Sequence, residues 1–142
     1  MKYHFKVHQE KNLYWAEGLE IPWANTQAPT LEELRRNMRE VLELCLEEPE
    51  DSDTVLPLPK RKFSGRNVVE VPVAPNIALA VMLRRERLLS KMSQRHAAEK
   101  LGIRHLSQYQ RLESGKTANP ELGTLAKLKR IFPKISVDWA LG

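Results

Sequence analysis

The sequence predicts an α+β chain in two parts: a β-β-β-α-β domain over residues 1–73 and an all-α helix-turn-helix domain over residues 74–142. Three observations carry this. Residues 2–19 alternate as a pair of strands does, residues 31–45 repeat at helical spacing, and residues 93–120 read as two short helices around a glycine. Charge divides along the same line: residues 76–142 hold 13 Lys/Arg against 5 Asp/Glu, whereas residues 1–59 hold 6 against 12. A basic half suits a polyanion and an acidic half suits a basic partner, so the two halves are expected to bind different things.

In the first strand Tyr3, Phe5 and Val7 alternate with Lys2, His4, Lys6 and His8, which predicts one buried and one wet face. Gln9–Asn12 form a polar turn, and Leu13–Leu19 resume in extended form with Tyr14 and Trp15 as strand formers. A short third strand covers Ala24–Gln27 after the break at Pro22. His4 and His8 share a strand face but stand roughly 13 Å apart at the usual rise, too far to share a metal ion. Thr30 caps the helix that follows, with Glu33 completing a capping box. Leu31, Leu34, Met38, Val41, Leu42 and Cys45 form its apolar stripe, while Arg35, Arg36, Arg39, Glu40 and Glu43 face solvent.

Residues 48–67 are the one long irregular stretch, acidic at first, then Leu56-Pro57-Leu58-Pro59, then basic. Val68–Val73 is a strand, with Pro72 limiting it to an edge or a strand end. From Asn76 a helix opens whose run Ile77–Leu83 is apolar on every side, which predicts a central place in the helical domain, a contact with a second copy of the chain, or both.

Ser93 then caps a short helix with Ala97, Ala98 and Leu101 inward, and Gly102 supplies the left-handed residue that ends it. Leu106, Tyr109 and Leu112 mark the inner side of the next helix, so Arg104, His105, Ser107, Gln108 and Arg111 point outward. Arginine can fork onto guanine and glutamine onto adenine, while serine and histidine bond bases or phosphates. Gln94, at the start of the first of these helices, is placed for a phosphate, and Lys116, after the second, joins the same DNA-binding set. A later helix carries Leu122, Leu125, Leu128, Ile131 and Phe132 and stops at Pro133; Ser136 caps a last one with Val137, Trp139 and Leu141.

The single cysteine, Cys45, excludes an intrachain disulfide and suits a reducing cytoplasm. No N-terminal signal is read, and the longest apolar run is too short to cross a bilayer. Catalysis is not expected. Glu10, Glu17 and Glu20 do not converge as metal-dependent hydrolysis requires, and no nucleophile arrangement or phosphate-cradling loop is present. No cofactor or metal is implied.

Taken whole, the sequence resembles the HicB antitoxin family, in the subgroup that ends in an Xre-type helix-turn-helix. The resemblance rests on the hairpin with Trp15-Ala16-Glu17, on Thr26-Gln27, Thr30-Leu31-Glu32-Glu33-Leu34, Pro57-Leu58-Pro59 and Val68–Val73. In the second domain it rests on Gln94, Leu101-Gly102, Tyr109-Gln110-Arg111-Leu112-Glu113 and Asn119-Pro120. It implies a truncated ribonuclease H-like N-terminal domain without catalytic carboxylates. It also implies a HicA-like mRNA-cleaving toxin as partner and repression of the operon through operator DNA. Helix-turn-helix dimers read palindromic operators, so a homodimer or higher oligomer is expected. On that reading Trp15 and Trp23 are aromatic anchors for the toxin, with Glu17, Glu20, Glu47 and Glu48 as complementary charges; Trp15 fits core burial as well. The competing expectation keeps the helix-turn-helix as a transcriptional repressor and makes the first domain a small-molecule sensor or a dimerisation module.

Overall fold

The computed structural model describes residues 1–142. The chain is α+β: an N-terminal antiparallel sheet with one helix, then a run of helices. By their contacts they form two units, residues 1–46 with 57–73, and residues 47–56 with 74–142.

In the first unit β1 (Lys2–Glu10), β2 (Leu13–Gly18), β3 (Asn25–Ala28) and β4 (Val68–Pro72) form a sheet of order β3-β2-β1-β4, with α1 (Leu31–Leu46) between β3 and β4 in sequence. All neighbours are antiparallel. The β1–β2 connection is two residues, tighter than the sequence suggested, because Lys11 accepts a φ of 49°. Strand register places Tyr3, Phe5, Val7, Ala16, Val69 and Val71 on one face. Helix α1 covers it with Leu34, Met38, Leu42 and Leu46, all buried. Thr30 Oγ1 accepts from the Glu33 amide at 3.2 Å, the cap that Thr30 was expected to supply. Leu31 is exposed and Val41 and Cys45 are half-buried, so the buried stripe runs through Leu46 instead.

The other sheet face is less wet than strand alternation predicts. His4 is buried on it, its Nδ1 2.6 Å from Glu20 Oε1, while its amide donates to Glu20 Oε2 at 2.9 Å. The Lys60 amide donates to the same carboxylate at 3.2 Å, and the Phe63 ring lies 5.6 Å from the imidazole. The loop 57–63 therefore folds over the His4 end of the strand, which a period-2 pattern cannot report.

The second unit comprises α2 (Pro75–Leu89), α3 (Gln94–Lys100), α4 (Leu106–Leu112), α5 (Leu122–Ile131) and α6 (Val137–Leu141). Ala78–Leu83 are buried within the chain. That corrects one of the two roles read for Ile77–Leu83: six of the seven residues are consumed in the monomer, and only half-buried Ile77 keeps any surface. Leu122, expected in the stripe of α5, is 84% exposed; Leu128 and Phe132 carry that side of the core.

Residues 47–56 depart most from expectation. The sequence predicts them in the first domain, yet they belong to the helical unit. Arg84 Nη1 donates to the Pro49 carbonyl at 2.7 Å and Arg85 Nη1 to that of Leu56 at 2.8 Å. The five carboxylates of this segment move with it. The first unit then holds 10 Lys/Arg and 8 Asp/Glu, the second 13 and 10, so the nets are +2 and +3. The expected opposition of an acidic and a basic domain does not hold, because buried Arg84 and half-buried Arg85 draw the acidic segment onto the helices.

Candidate nucleic-acid interface

Helices α3 and α4 are joined by Leu101–His105. The turn is a Schellman ending: the Ile103 amide donates to the Ala98 carbonyl at 2.9 Å and the Gly102 amide to that of Glu99 at 3.0 Å, with Gly102 at φ 72°. Ser93 Oγ accepts from the His96 amide at 3.0 Å and starts α3. Ala97, Ala98 and Leu101 are buried, and so are Tyr109 and Leu112 of α4, while Leu106 is half-buried. Small residues on α3 let the two backbones approach.

Arg104, His105, Ser107, Gln108 and Arg111 are all exposed. No ion pair or side-chain hydrogen bond engages them, and His105 occupies the N-cap of α4 without spending its ring there. They make one polar surface along the second helix of the motif, free to hydrogen-bond a ligand. Two further residues of the expected set are engaged. Lys116 Nζ lies 2.8 Å from Glu47 Oε1. Gln94 Nε2 donates to the Glu50 carbonyl and to Glu113 Oε2, both at 3.0 Å, and its Oε1 accepts from Gln110 Nε2. Gln94 is thus first a structural residue.

That glutamine belongs to a buried network that sequence reasoning missed. Arg87 Nε donates to Glu113 Oε1 at 2.5 Å and its Nη2 to Oε2 at 3.0 Å, while Nη1 holds the Met92 carbonyl. Tyr109 Oη donates to Glu113 Oε1 at 2.7 Å, and Arg84 Nε lies 3.8 Å from Oε2. The carboxylate therefore ties α2, α3 and α4 together and sets the angle of the motif. Burial pushes its pKa up, but bonds from Arg87, Tyr109 and Gln94 together with the Arg87 charge bring it below the ordinary carboxylate value. Burial and the neighbouring carboxylate drive the Tyr109 hydroxyl well above its usual pKa. The only available sequence signal was the Tyr109/Glu113 spacing of four and two arginines three apart on an apolar helix.

The residues expected at a protein-partner surface are not brought together. Trp15 is half-buried on the open sheet face, stacked on His8 with ring centroids 3.8 Å apart. Glu17 shares that face and lies 3.4 Å from His8 Nε2. Trp23 is 56% exposed, a free aromatic surface. Glu20 is spent on His4 and is no contact for a partner, since its side chain is 4% exposed. Glu47 and Glu48 stand on the other unit, paired with Lys116 and Ser52 respectively.

A capped helix, a glycine-ended turn and a second helix with an unengaged polar face define a helix-turn-helix DNA-binding protein, of the kind that regulates transcription. The helix-turn-helix family model matches residues 83–139, from inside α2 to inside α6. Comparison with curated proteins finds no match. No helix is long and apolar enough to cross a membrane.

Proposed function

We propose that this chain is the antitoxin of a type II toxin–antitoxin pair. Its helix-turn-helix binds operator DNA and represses the operon, and its N-terminal unit covers a HicA-like mRNA-cleaving toxin by steric occlusion. The observation that carries the DNA half is the unengaged surface of Arg104, His105, Ser107, Gln108 and Arg111 on a matched helix-turn-helix. The toxin half is supported by the HicB-like order of elements, β-β-β-α-β, on which the truncated ribonuclease H-like reading also rests. Two aromatic surfaces, exposed Trp23 and the Trp15–His8 stack, offer the anchors an interface core needs. With Glu20 buried, aromatic contact rather than an acidic patch is the basis of that interface. The protein acts in the cytoplasm and is not an enzyme on this reading; Glu17 and Glu20 turn to different histidines and do not converge on one site.

Co-expression with the neighbouring reading frame tests the proposal. The chain should retain a small basic protein through purification and suppress its RNA cleavage, and Trp23→Ala should weaken that retention by tenfold or more, about 2 kcal/mol for a hot-spot aromatic. A neighbour that neither binds nor cleaves RNA would leave the toxin half without basis.

A second reading has its own observation. A groove of about 580 Å³ lies between α1 and β4, lined by Leu31, Leu34, Met38, Val7, Val69 and Val71, with Arg35, Arg39 and Glu70 as its charged members. It fits a small, largely apolar molecule, and a repressor that senses such a molecule would use it.

Helix-turn-helix proteins read paired half-sites as dimers. With Ala78–Leu83 buried, the reading puts self-association on the exposed Leu122 and Leu141, 84% and 68% exposed; Leu141 also lines a hollow of about 300 Å³ with Leu79, Leu125 and Val137. The double variant Leu122→Glu, Leu141→Glu is expected to sediment as a monomer at concentrations where the parent chain is dimeric. An unchanged sedimentation coefficient would place the contact elsewhere.

A further inference from the structure

Residues 47–56 carry five carboxylates and no cation. The segment is fastened at its ends and loose between them. Leu46 and Leu56 are buried, while every side chain from Glu47 to Val55 is exposed or half-buried. Polar contacts hold it down: Arg84 on the Glu48 and Pro49 carbonyls, Gln94 on the Glu50 carbonyl, and the exposed Lys116–Glu47 pair. A hollow of about 410 Å³ separates Asp53 and Val55 from Leu88, Lys91, Met92 and Ser93. Arg84 is itself buried and keeps the Glu48 and Pro49 carbonyls, whereas the exposed Lys116–Glu47 pair and the stretch from Glu50 to Val55, with few apolar contacts, open at small cost without unfolding the rest.

Its position gives this meaning. Gln94 opens α3, where a phosphate contact is expected, and Lys116 follows α4 in the same DNA-binding set. Lys116 is instead paired with a carboxylate of the segment, and Gln94, already held by Glu113 and Gln110, also bonds its Glu50 carbonyl. We propose that residues 47–55 are an autoinhibitory strap, an internal anion seated where duplex phosphates go, which must lift for DNA to bind. This rests on the assignment of Gln94 and Lys116 to the backbone contact. Phosphate replaces carboxylate at Lys116, so the cation is never left alone. On random duplex the exchange gains little, because a cation already paired releases fewer counterions when DNA arrives. On an operator, base contacts from Arg104 and Gln108 offset the cost of lifting the strap. The strap thus suppresses non-specific binding more than specific binding.

The test uses the full chain and a random-sequence duplex. In one variant Glu47→Gln, Glu50→Gln, Asp51→Asn and Asp53→Asn neutralise the strap; in a control Glu32→Gln, Glu33→Gln, Glu40→Gln and Glu43→Gln remove as much charge from α1. The strap variant should bind at low salt roughly tenfold more tightly than the control, with the advantage fading as salt rises. In the unmodified chain, cleavage within residues 47–55 by a glutamate-specific protease should quicken when duplex is added. Equal affinity of strap variant and control, or unchanged cleavage on DNA, overturns the proposal. Lys116→Ala separates the two layers. If it weakens duplex binding while the strap variant gains nothing, the backbone assignment stands and the strap alone falls; if it changes nothing, the assignment fails and takes the strap with it.

Discussion

Glu113→Ala is expected to cost the helical unit about 3–5 kcal/mol, the usual penalty for removing one member of a buried ion pair. The variant leaves the buried guanidinium of Arg87 and the hydroxyl of Tyr109 without their acceptor, and Arg84 and Gln94 lose a neighbour. Since domains are stable by about 5–15 kcal/mol, this is a large share, and calorimetry should show the helix-turn-helix melting far below its normal temperature. The double change Arg87→Met, Glu113→Leu should recover much of the loss, because an apolar pair of similar volume does not bury an unpaired charge. Full stability of Glu113→Ala would mean that the network does not hold the motif together. Acid acts on the same carboxylate. Its pKa is depressed in the folded chain from an ordinary 4.5, so its contribution is present above that value and is lost as pH falls through the folded pKa. Tyr109 sets the other limit: its folded pKa is raised from an ordinary 10.0, so its contribution is complete below pH 10 and is lost as pH climbs beyond it. A urea-midpoint profile should therefore show a plateau bounded by these two flanks.

Arg104→Ala and Gln108→Ala should each weaken operator binding by about 1–3 kcal/mol, tenfold or more, and relax base preference at the position each one reads. Both side chains are exposed and unengaged, so neither change should disturb the fold. Fluorescence anisotropy on the operator and on a scrambled duplex measures the two effects separately. Loss confined to the operator marks a base contact; equal loss on both duplexes marks a phosphate contact. On the proposed division of function, rescue of cells from the neighbouring toxin should survive both changes.

The helix-turn-helix was legible because its signals are local. Ser93 as a cap, Gly102 in the left-handed region and the inward spacing of Leu106, Tyr109 and Leu112 act over a single turn of chain. The same locality exposed the outward set on α4. What escaped was every residue whose partner lies far along the chain. His4 reads as a wet strand position, and only the returning loop at Lys60 and Phe63 buries it with Glu20. Glu113 reads as an ordinary helix-end carboxylate until Arg87, 26 residues earlier, closes on it.

By itself the amino-acid order determined the α+β division, the strands and helices with their caps, the residues that face away from the core of the motif, and the overall charge. These depend on backbone preference and on apolar spacing, which are properties of neighbours in sequence. Only the tertiary structure decided where charge ends up. Arg84 and Arg85 take the carbonyls of residues 48–56 and carry five carboxylates from one unit to the other, so both units finish with a small positive net. A buried guanidinium needs acceptors wherever the chain can bring them, and no local pattern records which acceptors those will be.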